Sequence, residues 1–187
     1  MVVLSAFIVM LAGCRAARPP SAEIPRVALI GEDRSTVDAR ATTADAALTV
    51  FVFFSPHCHC LDAHERRLRA LVDAYGPRGV RFLMIDSEAA GSPEADRIEA
   101  KRRGYSFPIL SDQGAKLADA LGAEYATFSV IADANGRIRY RGGLDSDKVN
   151  LHDNANFYLQ DALTDLLAGR PPRVAEGKTL GCTLKKD

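Results

Sequence analysis

Neither sign of charge is in excess: 24 Lys and Arg stand against 24 Asp and Glu, for a formal net charge of +0 over 187 residues. The basic residues are scattered and form no stripe, which argues against a nucleic-acid partner. Cysteine is scarce, occurring only at Cys14, Cys58, Cys60 and Cys182. These four do not make two separated C-x-x-C pairs, so a zinc ribbon is excluded. Disulfides are not needed as staples either, because a chain of this length that is 47% hydrophobic buries a proper core. No internal repeat is present. The opening apolar run, Met1 to Ala12, is too short to span a bilayer stably.

That run does have the length of a signal-peptide apolar region. It carries no charge before Arg15, and Leu11-Ala12-Gly13-Cys14 follows it, which looks like a bacterial lipobox. The reading is a lipoprotein signal peptide over residues 1–13, with lipidation of Cys14. Residues 14–25, with Pro19-Pro20 and little apolar content, read as a tether. Residues 26–170 form the domain, and 171–187 a C-terminal tail carrying Cys182. The expected location is the bacterial cell envelope, lipid-anchored to a membrane and facing the periplasm or exterior. That setting is oxidising, so a thiol pair cycles there only with a reductant.

The domain is organised around Thr49-Val50-Phe51-Val52-Phe53-Phe54, an apolar run rich in β-branched and aromatic residues that predicts a buried strand. Ser55-Pro56 breaks it. His57-Cys58-His59-Cys60 then opens an amphipathic helix, expected over 62–75, with Leu61, Leu68, Leu71 and Val72 along it. A cysteine at that junction meets the positive end of the helix dipole and free backbone N–H groups, and both favour thiolate. Cys58 is therefore expected below the free-cysteine value of about 8.5, aided by His57 or His59.

Other elements follow in order. Val27 to Ile30 reads as a short strand, 38–47 as a polar segment without firm assignment, and Val80 to Asp86 as the next strand of a right-handed β-α-β unit. Ser92-Pro93 opens a helix running to about Arg103. Residues 107–110 are extended, 115–121 helical to Gly122, and 157–167 the last helix. Strands at 128–133 and 137–141 flank Ala134-Asn135-Gly136, a hairpin signal. Asp133 to Gly136 lacks the spaced downstream ligands of a calcium loop and is a turn.

The Cys-His-Cys junction, the stretches Gly79 to Asp86, Tyr105 to Asp112 and Asp133 to Gly142, and the tail from Tyr158 through Gly181-Cys182 together resemble the thioredoxin-like superfamily. Within it they resemble the redoxin, or alkyl hydroperoxide reductase/thiol-specific antioxidant, branch. The resemblance implies an α/β fold, a three-layer α/β/α sandwich with a central mixed sheet. It implies a thiol oxidoreductase acting on a peroxide or a protein disulfide, needing a thiol reductant and no cofactor. Cys58 would be the nucleophile, with Cys60 or else Cys182 resolving.

Three positions depart from the family pattern. Leu61 stands where the second cysteine of C-x-x-C would be. Thr127 replaces the cis-proline expected opposite the site. Counting back from Cys58, Ser55 takes the place of the peroxidase threonine, and its hydroxyl can still face peroxide. A C-x-C disulfide is strained and reducible, and proximity favours Cys58–Cys60. Strain favours Cys58–Cys182, which the tail is long enough to reach.

The alternative is a copper-binding or copper-delivery protein without turnover. Cys60 and His64 lie four apart on one helix face, and two thiolates with imidazoles suit Cu(I) or zinc. The metal set on that reading is Cys58, Cys60, His64 and His152.

Overall fold

The computed structural model describes residues 20–187. The expected signal-peptide segment and the expected lipidation site Cys14 lie outside the described residues. So does the first half of the expected tether, but its end does not hang free. Ser21 N–H donates to the Ala120 carbonyl at 2.9 Å, Glu23 bridges to Arg137, and Ile24 is buried. The expected tether over 14–25 therefore ends by about Pro20, because the following backbone is paired with the domain.

Seven strands form one sheet: β1 (Ala28–Ile30), β2 (Thr36–Asp38), β3 (Leu48–Phe54), β4 (Val80–Asp86), β5 (Ile109–Ser111), β6 (Ser129–Asp133) and β7 (Ile138–Gly142). Their order across the sheet is β2-β1-β5-β4-β3-β6-β7. β3 runs parallel to β4 and antiparallel to β6, and β4 runs parallel to β5. The helices α1 (His59–Tyr75), α2 (Pro93–Arg103), α3 (Lys116–Leu121) and α4 (Tyr158–Leu167) flank it. This is the expected thioredoxin-like sandwich with a central mixed sheet.

All seven residues of β3 are buried, as a central strand covered on both faces requires. It starts at Leu48, one residue before the predicted run, since Leu48 and Thr49 pair with Val80 and Arg81 as regularly as Phe53 pairs with Ile85. The unassigned segment 38–47 holds one turn of 3-10 helix, Ala41–Thr43. Ser92 caps α2 with Pro93 in its first turn, and Gly104 ends it at positive φ.

The last seventeen residues are not a loose appendage. The N–H of Gly177 donates to the Arg141 carbonyl at 2.9 Å, Ala126 N–H to the Cys182 carbonyl at 2.9 Å, and Leu184 N–H to the Glu124 carbonyl at 3.0 Å. Leu184 is buried, and Lys186 binds Asp119 and Glu124 at 2.8 and 2.9 Å. The tail runs past the β3–α1 junction as an added extended segment.

Candidate functional site

Helix α1 begins one residue after Cys58, which serves as its N-cap. The Cys58 sulfur accepts the Leu61 N–H at 3.4 Å, where a serine or aspartate oxygen more often sits. Ser55 closes the preceding turn, its carbonyl accepting the Cys58 N–H at 3.2 Å. Arg103, at the end of α2, holds that turn from behind. It donates to the Pro56 carbonyl at 3.2 Å, pairs with Asp62 and Glu65 on α1, and lies over the Phe54 ring at 5.4 Å.

The docked tail brings a third sulfur to this turn. The sulfurs of Cys58, Cys60 and Cys182 all lie within 4.8 Å of one another, with 4.0 Å between Cys60 and Cys182. Two features make this approach possible. Gly181 passes so close to the Ala126 carbonyl that a Cβ there would sit 1.9 Å from its oxygen. Thr127, at φ +82, donates its N–H to the Phe53 carbonyl and its hydroxyl to the Leu180 carbonyl at 3.1 Å. Thr127 thus ties the tail to the end of β3, two residues before Cys182.

The three thiols differ in environment. Cys58 and Cys60 are 0% and 2% exposed, whereas Cys182 is half-buried. Burial, with the Cys182 sulfur beside it, pushes the Cys58 thiol up to about 12. Burial also raises Cys60. For Cys182 burial works the same way, but the Cys58 thiol and the backbone N–H groups of Cys60 and His59 outweigh it, holding Cys182 below the ordinary range. The expectation of a lowered Cys58 is therefore corrected: the Leu61 N–H does reach the Cys58 sulfur, but burial and the neighbouring Cys182 sulfur outweigh it. His57 and His59 are exposed, and His59 faces Asp62 at 3.9 Å and not a sulfur.

The structure does not bring the four-residue copper set together. His64 is 1% exposed, with Nδ1 at 2.7 Å from the Cys60 carbonyl and Nε2 at 2.9 Å from the Asp145 carboxylate. Both neighbours are acceptors, so both ring nitrogens donate and neither has a lone pair for a metal. Burial disfavours this imidazolium, but Asp145 and the Cys60 carbonyl prevail, and the His64 pKa is raised. His152 pairs with Asp147 at 3.0 Å, and Arg67 joins the two acids through contacts of 2.6 Å to Asp145 and 2.9 Å to Asp147. These five residues form a charged network apart from the sulfurs.

Asp145 and Arg103 were not legible as site-supporting residues. Asp145 follows β7 in a short polar run with no periodic pattern. Arg103 had one available signal, a basic residue closing a helix. A cavity of about 330 Å³ opens beside the thiol turn, lined by Phe54, Pro56, His57, Asp86, Asp96 and Ile98 among others. Burial and the neighbouring Asp86 raise Asp96 to about 8. No helix among the described residues is long and apolar enough to cross a membrane.

Comparison with known proteins places this geometry. The family model described as Redoxin matches residues 19–157, a span that includes Cys58 and Cys60 and stops short of Cys182. An uncharacterized conserved protein from Geobacillus kaustophilus is similar at 31% identity over 89% of this chain and 92% of its own, with a TM-score of 0.79. A hypothetical protein from Sinorhizobium meliloti 1021 is similar at 21% identity over 91% and 96%, with a TM-score of 0.80. A secreted disulfide oxidoreductase from Mycobacterium tuberculosis shares the fold at 17% identity over 60% and 80%, with a TM-score of 0.50. No curated protein matches the chain.

Proposed function

Because the chain belongs to the redoxin family, we propose that it is a thiol-dependent oxidoreductase whose working thiols are Cys58, Cys60 and Cys182. One observation carries this reading: three sulfurs converge within 4.8 Å at a helix N-terminus, and only Cys182 among them is open to solvent. Cys182 is accordingly the attacking thiolate. With a disulfide substrate, its sulfur bonds to one substrate sulfur and expels the other as a thiolate. The Cys60 sulfur, 4.0 Å away, then gives up its proton and attacks Cys182, forming Cys60–Cys182 and releasing the second substrate thiol. With a peroxide, Cys182 takes one oxygen to become a sulfenic acid while the alcohol or water leaves. Cys60 then displaces hydroxide. In both cases two electrons pass from the protein to the substrate, and a thiol reductant returns them.

Cys58 holds the end of α1 and stands behind the pair as a reserve thiol. Thr127 acts as a positioning residue for the tail, and Ser55 for the turn. The reading also includes anchoring in the bacterial cell envelope through lipidated Cys14, supported by Leu11-Ala12-Gly13-Cys14 after an apolar run. Multiple acyl chains at one terminus anchor stably, where a single chain does not. A Cys14→Ala protein that is still processed and membrane-bound would end that part.

The site reading is tested by timed alkylation at neutral pH, followed by mass spectrometry after one equivalent of peroxide or of a small disulfide. The expected result is fastest labelling at Cys182, a Cys60–Cys182 bond, and loss of turnover in Cys182→Ser. A Cys58–Cys60 bond, with turnover retained in Cys182→Ser, would overturn it.

A further inference from the structure

The sulfur cluster has a second capacity that electron transfer does not require. Three sulfurs placed about 2.3 Å from a common centre in one plane stand roughly 4.0 Å apart, taking the usual metal–thiolate length. The Cys60–Cys182 separation is 4.0 Å, and the third sulfur lies within 4.8 Å of both. The reduced protein is therefore already close to the spacing of a trigonal ion.

The donor set also limits which ion fits. Among the described residues, the group of ligand atoms that converges here contains these three cysteines and no histidine or carboxylate. His64, one helical turn beyond Cys60, has both ring nitrogens engaged. Zinc sites of this kind want a fourth ligand. Three soft sulfurs without a fourth donor suit a soft monovalent ion. Two of the three sulfurs are buried and the third is held by backbone hydrogen bonds from both sides of Cys182, so little reorganisation is needed on binding. The Leu61 N–H on the Cys58 sulfur, and the positive end of α1 generally, offset the excess negative charge of three thiolates around one monovalent cation.

We propose that the reduced protein binds one Cu(I) through Cys58, Cys60 and Cys182, with the tail supplying the third ligand. The set is all sulfur, unlike the cysteine–histidine set suggested by the sequence. The proposal does not rest on turnover.

The test uses the full chain carrying Cys14→Ser, so that these are its only thiols, reduced and kept free of oxygen. Cu(I) is titrated against bathocuproine disulfonate, and sulfur coordination is read by X-ray absorption. The expected result is one Cu(I) per chain with three sulfurs. Cys182→Ser should then weaken binding by more than the roughly 10–100-fold that loss of an outer-shell partner costs. Its coordination should drop to two sulfurs. Exchange protection of the Leu184 amide shows whether the tail still docks in that variant. Where docking is lost, Cys60→Ser on α1 carries the same comparison. Unchanged affinity in both variants, a two-sulfur site in the parent, or Zn(II) held in preference to Cu(I) would overturn the proposal. Turnover is measured on metal-free protein, so either reading can fail while the other stands.

Discussion

Two clusters share the first turns of α1, and they are built from opposite materials. One is the three sulfurs of Cys58, Cys60 and Cys182, two of them buried, with few hydrogen bonds among them. The other is His64, Arg67, Asp145, Asp147 and His152, in which nearly every charge meets its opposite at 2.6–3.0 Å. Cys60 and His64 lie four apart and belong on one face by spacing alone. Their bonding capacities separate them. The His64 ring turns back to the Cys60 carbonyl and out to Asp145, fixing the chain after β7 against α1. The Cys60 sulfur turns to the tail, 4.0 Å from the Cys182 sulfur. A saturated cluster holds the fold, and the one beside it keeps its sulfurs largely without hydrogen-bond partners.

The sharpest break of this comparison is a covalent one. A Cys60–Cys182 bond joins residues 122 apart, and closing a loop of that order constrains the unfolded chain by about 4–5 kcal/mol. Oxidised protein carrying Cys14→Ser should resist denaturant by an increment approaching that size over reduced protein. A Cys58–Cys60 bond closes a far shorter loop and would add much less, so equilibrium unfolding of the two redox forms decides whether the tail cysteine is paired.

Next is the saturated side. Asp145→Ala leaves His64 buried without its counter-charge and removes one partner of Arg67, so it should cost about 3–5 kcal/mol. The alkylation rate of Cys182 should hardly change while the protein stays folded. A large change in that rate would mean that the two clusters are one functional unit.

Gly181→Ala should act in the opposite direction. A Cβ against the Ala126 carbonyl must push the tail away, at a cost of about 1–3 kcal/mol. Cys58 and Cys60 should then label much faster with a thiol reagent.

The smallest effect is on pH. The folded His64 pKa lies above its ordinary 6.5. Its contribution is therefore fully present below about 6.5 and lost as pH rises through the folded value, at no more than about 1.4 kcal/mol per pH unit for one proton. Asp145 has the opposite sign, its lowered pKa confining the loss to the acid end. Melting curves against pH should show the alkaline decline, and His64→Gln should flatten it.

The sheet and the cysteine turn were legible because they rest on local patterns. Val80 to Asp86 is apolar without a break from Phe82 to Ile85, as a strand buried on both faces requires. Ser92-Pro93 announces a helix by its cap. β2 was missed because Thr36–Asp38 is a short, partly exposed edge strand whose residues carry no apolar run. The position of Cys182 was not legible either, since backbone hydrogen bonds from Ala126 and Glu124 hold it there, and these leave no trace in side-chain periodicity. Cys58 was given the role of thiolate because helix N-termini favour one. The sequence could not reveal that a sulfur from the tail would come to lie at the same helix start.

The pairing of Tyr125 with Thr183 has a consequence for encounter with other molecules. The chain's last residues lie antiparallel along the edge formed by Glu124 to Ala126, taking the backbone groups that an incoming extended peptide would use. A protein partner seeking that edge competes with an occupant that is covalently attached and never diffuses away. Displacing it uncovers the edge and the two buried sulfurs in one movement, so access and exposure are a single event. Selectivity then belongs to whatever can out-compete the molecule's own terminus, and small solutes that reach Cys182 directly need not compete at all.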